Sequence, residues 1–314
     1  MTIAQRPAEI AMGPRRERYL LDSERLLGPA LMAPAVVYLI LVVGYPLVLA
    51  FVYAFSDATT GSQSLHFVGF QTFIAAVQDP VFLTTLRNTF VFTAISQALV
   101  VIFSTILAFV LTANFRGRWF VRFLVLLPWT TPVALSAVIW LWMLDSIFSP
   151  FDWFAQLLHI VPPGGHIIFL GQSDLAMGSV IALQTWRILP LATVILMAGL
   201  SAIPAEVSDA AEVDGAGFWR RLFGITLPLL SPVMTVALLF GIVFTFTDMA
   251  GVFVLTGGGP GNATSTIGYA AYQTAFLTFD FGLGNAYSYI IALITLAIAL
   301  IYMRVLWHRG EVSV

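Results

Sequence analysis

With 59% hydrophobic and only 10% charged side chains among 314 residues, and a mean hydropathy of +0.93, the chain is too apolar to be a soluble domain around one core. A membrane protein is the first reading, and a net charge of −2, thinly spread, offers nothing to nucleic acid. The absence of cysteine excludes disulfides, thiolate metal sites and a cysteine nucleophile.

A bilayer span needs about 20 mostly apolar residues. Six runs qualify, at 30–55, 88–113, 120–144, 176–199, 231–255 and 286–307, predicting an all-α, polytopic protein. The chain then divides into an N-terminal segment 1–29, a six-helix domain 30–307 and a tail 308–314. The first run follows Arg15, Arg16, Arg18 and Arg25, as a signal peptide would, but it is long and lacks a clear small-residue cleavage site, so it reads as a retained anchor. Arg6 to Arg25, Arg116, Arg118, Arg122, Arg220, Arg221, Arg304 and Arg309 all fall on one side of the spans. By the positive-inside rule that side is the cytoplasm, and both termini lie there.

In the third run, Pro128-Trp129-Thr130-Thr131-Pro132 predicts a kink, with the threonines meeting freed carbonyls. Two charges fall inside spans, Arg187 in the fourth and Asp248 in the fifth. At about 1.5 Å per residue they lie roughly 16 and 10 Å from the outer ends, a difference an extended arginine can bridge. A charge in a span costs about 2.5–3.5 kcal/mol, so each needs a partner or water. Two roles stand open: a bridge between helices, or part of a polar solute's path together with Thr245, Thr247, Trp140 and Trp186. Trp140 and Trp142, two residues apart, cannot share one helix face. Trp119, Trp153 and Trp307 sit where interfacial belts place them.

Between the fourth and fifth runs, the cytoplasmic loop 201–228 reads as a built element. Pro204 suits a first helical turn, Glu206 and Asp209 suit its positive N-terminal end, and Gly215 stops the helix after about three turns. Val207, Ala210, Ala211 and Val213 give this short helix a face of small side chains that another protein's groove could approach, and Pro228 marks entry to the next span.

Asp209-Ala210-Ala211, Asp214-Gly215-Ala216 and Ile225-Thr226-Leu227-Pro228 match, in type and spacing, the cytoplasmic motif of binding-protein-dependent permeases of ATP-driven importers. The loop resembles that motif, with Asp209 where the family usually has Glu. Leu127-Pro128, Trp186-Arg187, Ala198-Gly199-Leu200 and Leu255-Thr256-Gly257-Gly258-Gly259-Pro260 extend the likeness toward the maltose and glycerol-phosphate branch. The resemblance implies a type I importer fold whose loop helix is a coupling helix seated on a separate ATPase. It also implies a second, non-identical permease, two ATP-binding subunits, an extracytoplasmic solute-binding protein, a sugar or sugar-like cargo and a bacterial inner-membrane location.

His66, His159, His166 and His308 have no metal-site spacing, and with no lysine anywhere no Walker-type phosphate loop can form. No catalytic residue, metal ligand or cofactor site is therefore expected, ATP and Mg being left to the partner ATPase. The competing reading is a self-sufficient ion-coupled transporter or channel using Arg187 and Asp248.

Overall fold

Proline punctuates the first apolar run. Helix α1 (Glu24–Leu39) carries Pro29 and Pro34 and passes through a π turn, Ile40–Gly44, into α2 (Tyr45–Ala54). Pro46 has no N–H for the carbonyl four residues back, and its ring would press on that carbonyl. The π turn, closed by Tyr45 N–H donating to the Ile40 carbonyl, adds one residue to the turn and relieves the clash. The resulting apolar run, Leu27–Ala54, is exposed along its most apolar stretch. Among the described residues, those up to Val52 form one compact unit and those from Tyr53 onward a second. This computed structural model describes residues 24–59, 65–162 and 164–310; Arg6 to Arg18, Pro163 and the last four residues of the tail lie outside them.

In the second unit, α3 (Gln71–Gln78) leads into α4 (Pro80–Thr112). Asp79 caps α4 by accepting the Val81 N–H at 2.8 Å, and Pro80 occupies the first turn, where a missing donor costs nothing. The buried stripe of this 33-residue helix is largely polar: Thr85, Thr89, Thr93, Ser96, Gln97 and Ser104 point inward while Ile102, Ile106 and Val110 point outward. That is the reverse of a soluble helix, because lipid accepts the apolar side and helix contacts use small and hydrogen-bonding groups.

The third run is a broken pair, α5 (Arg118–Thr130) and α6 (Val133–Met143), meeting at 102°. The distortion expected at Pro128–Pro132 is a full break: Thr131, preceding Pro132, is forced into extended backbone and the helix stops there before resuming as α6. The hydroxyls of Thr130 and Thr131 both close on the Leu127 carbonyl, at 3.0 and 2.8 Å.

After the short α7 (Pro150–Leu157), α8 (Ser173–Ala202) forms the central post, packing against α4, α5 and α11. Helix α9 (Ala205–Val213) and α10 (Phe218–Arg221) follow, then a π turn at Leu222–Thr226, then α11 (Leu227–Phe246). Leu227-Pro228 repeats the device seen at Tyr45-Pro46: Leu227 N–H donates to the Leu222 carbonyl and the helix runs through the proline. The fifth span is therefore Phe218–Phe246, displaced from the expected 231–255 at both ends. Ile225, Leu227 and Pro228, read as loop, lie in it. Beyond it come α12 (Ala250–Leu255), α13 (Ile267–Tyr272), a π turn at Gln273–Leu277 and α14 (Phe281–Gly310).

The core is layered along α8. Leu183 meets Phe92, Val252 and Tyr269; Ile188 meets Val100 and Ala237; Leu196 meets Ala108 and Leu230. At Gly199 a Cβ would stand 2.7 Å from Leu230 Cδ1 and 2.9 Å from Val233 Cγ1, so glycine is what lets α11 come this close. Among the described residues, five helices are long and apolar enough to cross a membrane, six if the bent pair is one span.

Candidate functional site

Four helical elements bring polar groups together where α11 ends. Arg187 of α8 reaches Asp248, in the break between α11 and α12, with Nη1 to Oδ1 at 3.2 Å, and both side chains are largely buried. The same Nη1 donates to Gln184 Oε1 at 2.8 Å. Gln184 Nε2 and Gln97 Nε2, from α8 and α4, both donate to Thr245 Oγ1, at 3.0 and 2.8 Å. Asp248 holds the break itself: Oδ2 accepts the Gly251 N–H in the manner of a helix cap, and its carbonyl accepts the Thr266 hydroxyl.

Beside this network lies a cavity of about 460 Å³, lined by Arg187, Asp248, Thr247, Met249, Trp129 and the Pro128–Val133 break among others. The expected pathway residues divide. Arg187, Asp248 and Thr247 line the cavity. Thr245 is fully buried behind it as the acceptor shared by two glutamines. Trp140 and Trp186 are half-buried against the Leu183 cluster, with ring centroids 6.0 Å apart, and are not among the residues that line the cavity. Trp142 is 62% exposed on the opposite face of α6, as the two-residue offset requires. Trp129, left off the expected set, lines the cavity against Phe244, at 5.8 Å. Gln97 and Gln184 were also missed, although an amide inside an apolar run is costly to bury without a partner and so is itself a signal.

The loop helix forms as expected between Pro204 and Gly215. Gly215 adopts φ +72°, the left-handed geometry that closes α9, with Ala216 N–H donating to the Ala211 carbonyl at 2.9 Å. The expected small-residue face is split, because Val207 and Ala211 sit four residues apart and turn inward together. Ala211 is 6% exposed, whereas Val213 is 88% exposed, alongside exposed Asp209, Ala210 and Asp214. Arg221 Nη1 meets Glu212 Oε2 at 3.2 Å and ties α9 to α10.

On the other side, Asp152 of α7 is buried and accepts from the His166 ring at 2.8 Å and from Ile167 N–H at 3.0 Å. Those bonds, the imidazole's first, hold its carboxyl below the usual carboxylate range. Asp57 accepts from His66 in the same way. The scattered histidines, assigned nothing from sequence, thus include two that fasten loops. Among the described residues no three His, Asp or Glu side chains gather as metal ligands.

Residues 100–307 match the family described as binding-protein-dependent transport system inner membrane component. The chain is also 30% identical, over 93% of its length and 94% of the relative's, to the sulfoquinovosyl glycerol transport system permease protein SmoG of Agrobacterium fabrum. It belongs to that family.

The trehalose/maltose transport system permease protein MalF of Thermococcus litoralis is likewise 30% identical to this permease, over 90% of this chain and 94% of that one. In fold, the permease superposes with a TM-score of 0.78 and 18% identity on a chain of a bacterial ABC transporter involved in importing the acidic polysaccharide alginate, covering 92% of this chain and 97% of that one. A second structure of the alginate transporter, in complex with an alginate pentasaccharide-bound periplasmic protein, gives 0.74 at 20% identity, covering 91% and 96%. The permease is therefore a multi-pass inner-membrane subunit of an ATP-driven, binding-protein-dependent importer, a transport component and not an enzyme.

Proposed function

We propose that the permease forms half of the pathway for a sugar or sugar-like solute and that a second, non-identical permease supplies the other half. The observation that carries this reading is the cavity at the α11 break. There the Trp129 ring offers an apolar plane for sugar C–H faces, and the Arg187–Asp248 pair and Thr247 hydroxyl offer donors and acceptors for hydroxyls. The sugar-linked cargoes named for the curated relatives support the same class.

In this scheme two ATP-binding subunits dock on the cytoplasmic loops, holding the ATP and Mg that this chain does not bind, and both termini face the cytoplasm. Asp209, Ala210, Asp214 and Gly215 present the docking surface on α9. Ala211 and Ala216 set the helix against the body of the subunit, and Ile225, Leu227 and Pro228 pass its motion into α11. A binding protein delivers the cargo from outside.

The test is to pull down the tagged chain from solubilised host membranes, identify what co-purifies, and repeat with Gly215→Arg. Recovery of a second permease and an ATPase, with the ATPase lost in the variant, is the expected outcome. A chain that purifies alone and moves solute on an ion gradient would establish the ion-coupled transporter instead.

A further inference from the structure

We propose that Gln97 of α4, seated in a slot made by Gly241 of α11, is a positioning residue that locks the broken end of the fifth span in register with Arg187. The inference rests on the pathway reading above and adds a residue that touches neither the cavity at the break nor the cytoplasmic loop.

Gln97 is 3% exposed, in the interior of a long apolar helix. Its Nε2 donates to Thr245, one residue before α11 ends and three before Asp248. Thr245 Oγ1 accepts from Gln184 as well, and Gln184 in turn accepts from Arg187. A continuous chain of hydrogen bonds therefore runs from α4 through the end of α11 to the guanidinium that holds Asp248.

Two features mark the arrangement as built for position and not for stability. A Cβ on Gly241 would overlap Gln97 Oε1 and stand 2.8 Å from its Cδ, so α11 carries glycine in mid-span where the carboxamide lies. The fit is also costly, since Gln97 Oε1 is buried with no hydrogen-bond partner among the described residues. A leucine would fill the slot without that cost, which makes the amide expensive to keep unless its bond to Thr245 serves transport.

Helix α4 also binds the other side of the break. Asn88 Nδ2 donates to the carbonyls of Asn262 and Ser265, and Thr89 Oγ1 accepts the Ile267 N–H at 2.9 Å. Helix α4 thus grips the chain before and after Asp248, and Gln97 supplies the grip on the α11 side.

The experiment uses the full importer complex in proteoliposomes, with its solute-binding protein purified carrying the ligand it acquired in its host. Gln97→Leu is expected to leave Tm unchanged or raised, to leave the half-saturating concentration of loaded binding protein unchanged, and to lower stimulated ATP turnover roughly threefold or more. Gly241→Ala, which evicts the carboxamide, is expected to reproduce the turnover loss. Thr245→Ser is expected to keep the turnover that Thr245→Val loses. Wild-type turnover in Gln97→Leu, or a turnover loss that only follows a fall in Tm, overturns the proposal. A wild-type complex that loaded binding protein does not stimulate would instead defeat the importer reading beneath it.

Discussion

Removing the Arg187 side chain strands a carboxylate in a largely buried site, and breaking a buried pair from one side costs about 3–5 kcal/mol. Arg187→Met should therefore lower Tm sharply in detergent, and adding Asp248→Asn should recover much of the loss. A double variant no better than the single would mean that the pair is already solvated in the native protein. Asp152 yields a pH prediction of definite sign. Its folded-state pKa is depressed, so its stabilising effect is present above the usual 3.8 and is lost as pH falls through the lower folded value. Protection of the Ile167 amide against hydrogen exchange should fall in that acid window and should no longer depend on it in Asp152→Asn. Much at this scale was legible. Arg187 and Asp248 stood out because charges are rare in spans, and the reach between them was computable. The glutamine chain was not, since whether Gln97 and Gln184 converge on Thr245 depends on how α4 and α8 cross.

Close helix approach can be tested at Gly199, where Leu230 and Val233 leave no room for a side chain. Gly199→Val should overpack the α8–α11 contact at a cost of about 1–3 kcal/mol, read as a lower Tm, whereas the same change at Gly178, which has nothing within 4 Å, should cost far less. Elements differed in how openly the sequence declared them. Helix α9 was readable at both ends because Pro204 and Gly215 act locally through their own backbone. The α5–α6 break was half-readable: two prolines announced a distortion, but the 102° angle comes from Thr131 going extended before Pro132. The end of α11 at Phe246 carries no proline or glycine, and its one signal is Asp248 placed three residues ahead of Gly251 as a cap. Pro228 misled in the other direction, because the π turn before it carries the helix through a residue that usually stops one.

Sidedness belongs to the whole molecule, and the cysteine-free chain is its own background for measuring it. Ser208→Cys on α9 should react with a membrane-impermeant maleimide only in inside-out vesicles, and Gly164→Cys, beyond α7, only in right-side-out ones. The reverse pattern would overturn the positive-inside assignment. The apolar runs were enough to read an all-α, multi-pass membrane protein from the sequence, because they arise from transfer energies that do not depend on packing. How the runs bend and which of them face one another depends on packing, and that became visible only in three dimensions.

The pairing of Arg187 with Asp248 has an electrical consequence. One elementary charge carried across the membrane field exchanges about 2.3 kcal/mol per 100 mV, but a cation and an anion moving together carry none. With its charges cancelled at 3.2 Å, this pair adds no net charge to any movement of the helices across the membrane field.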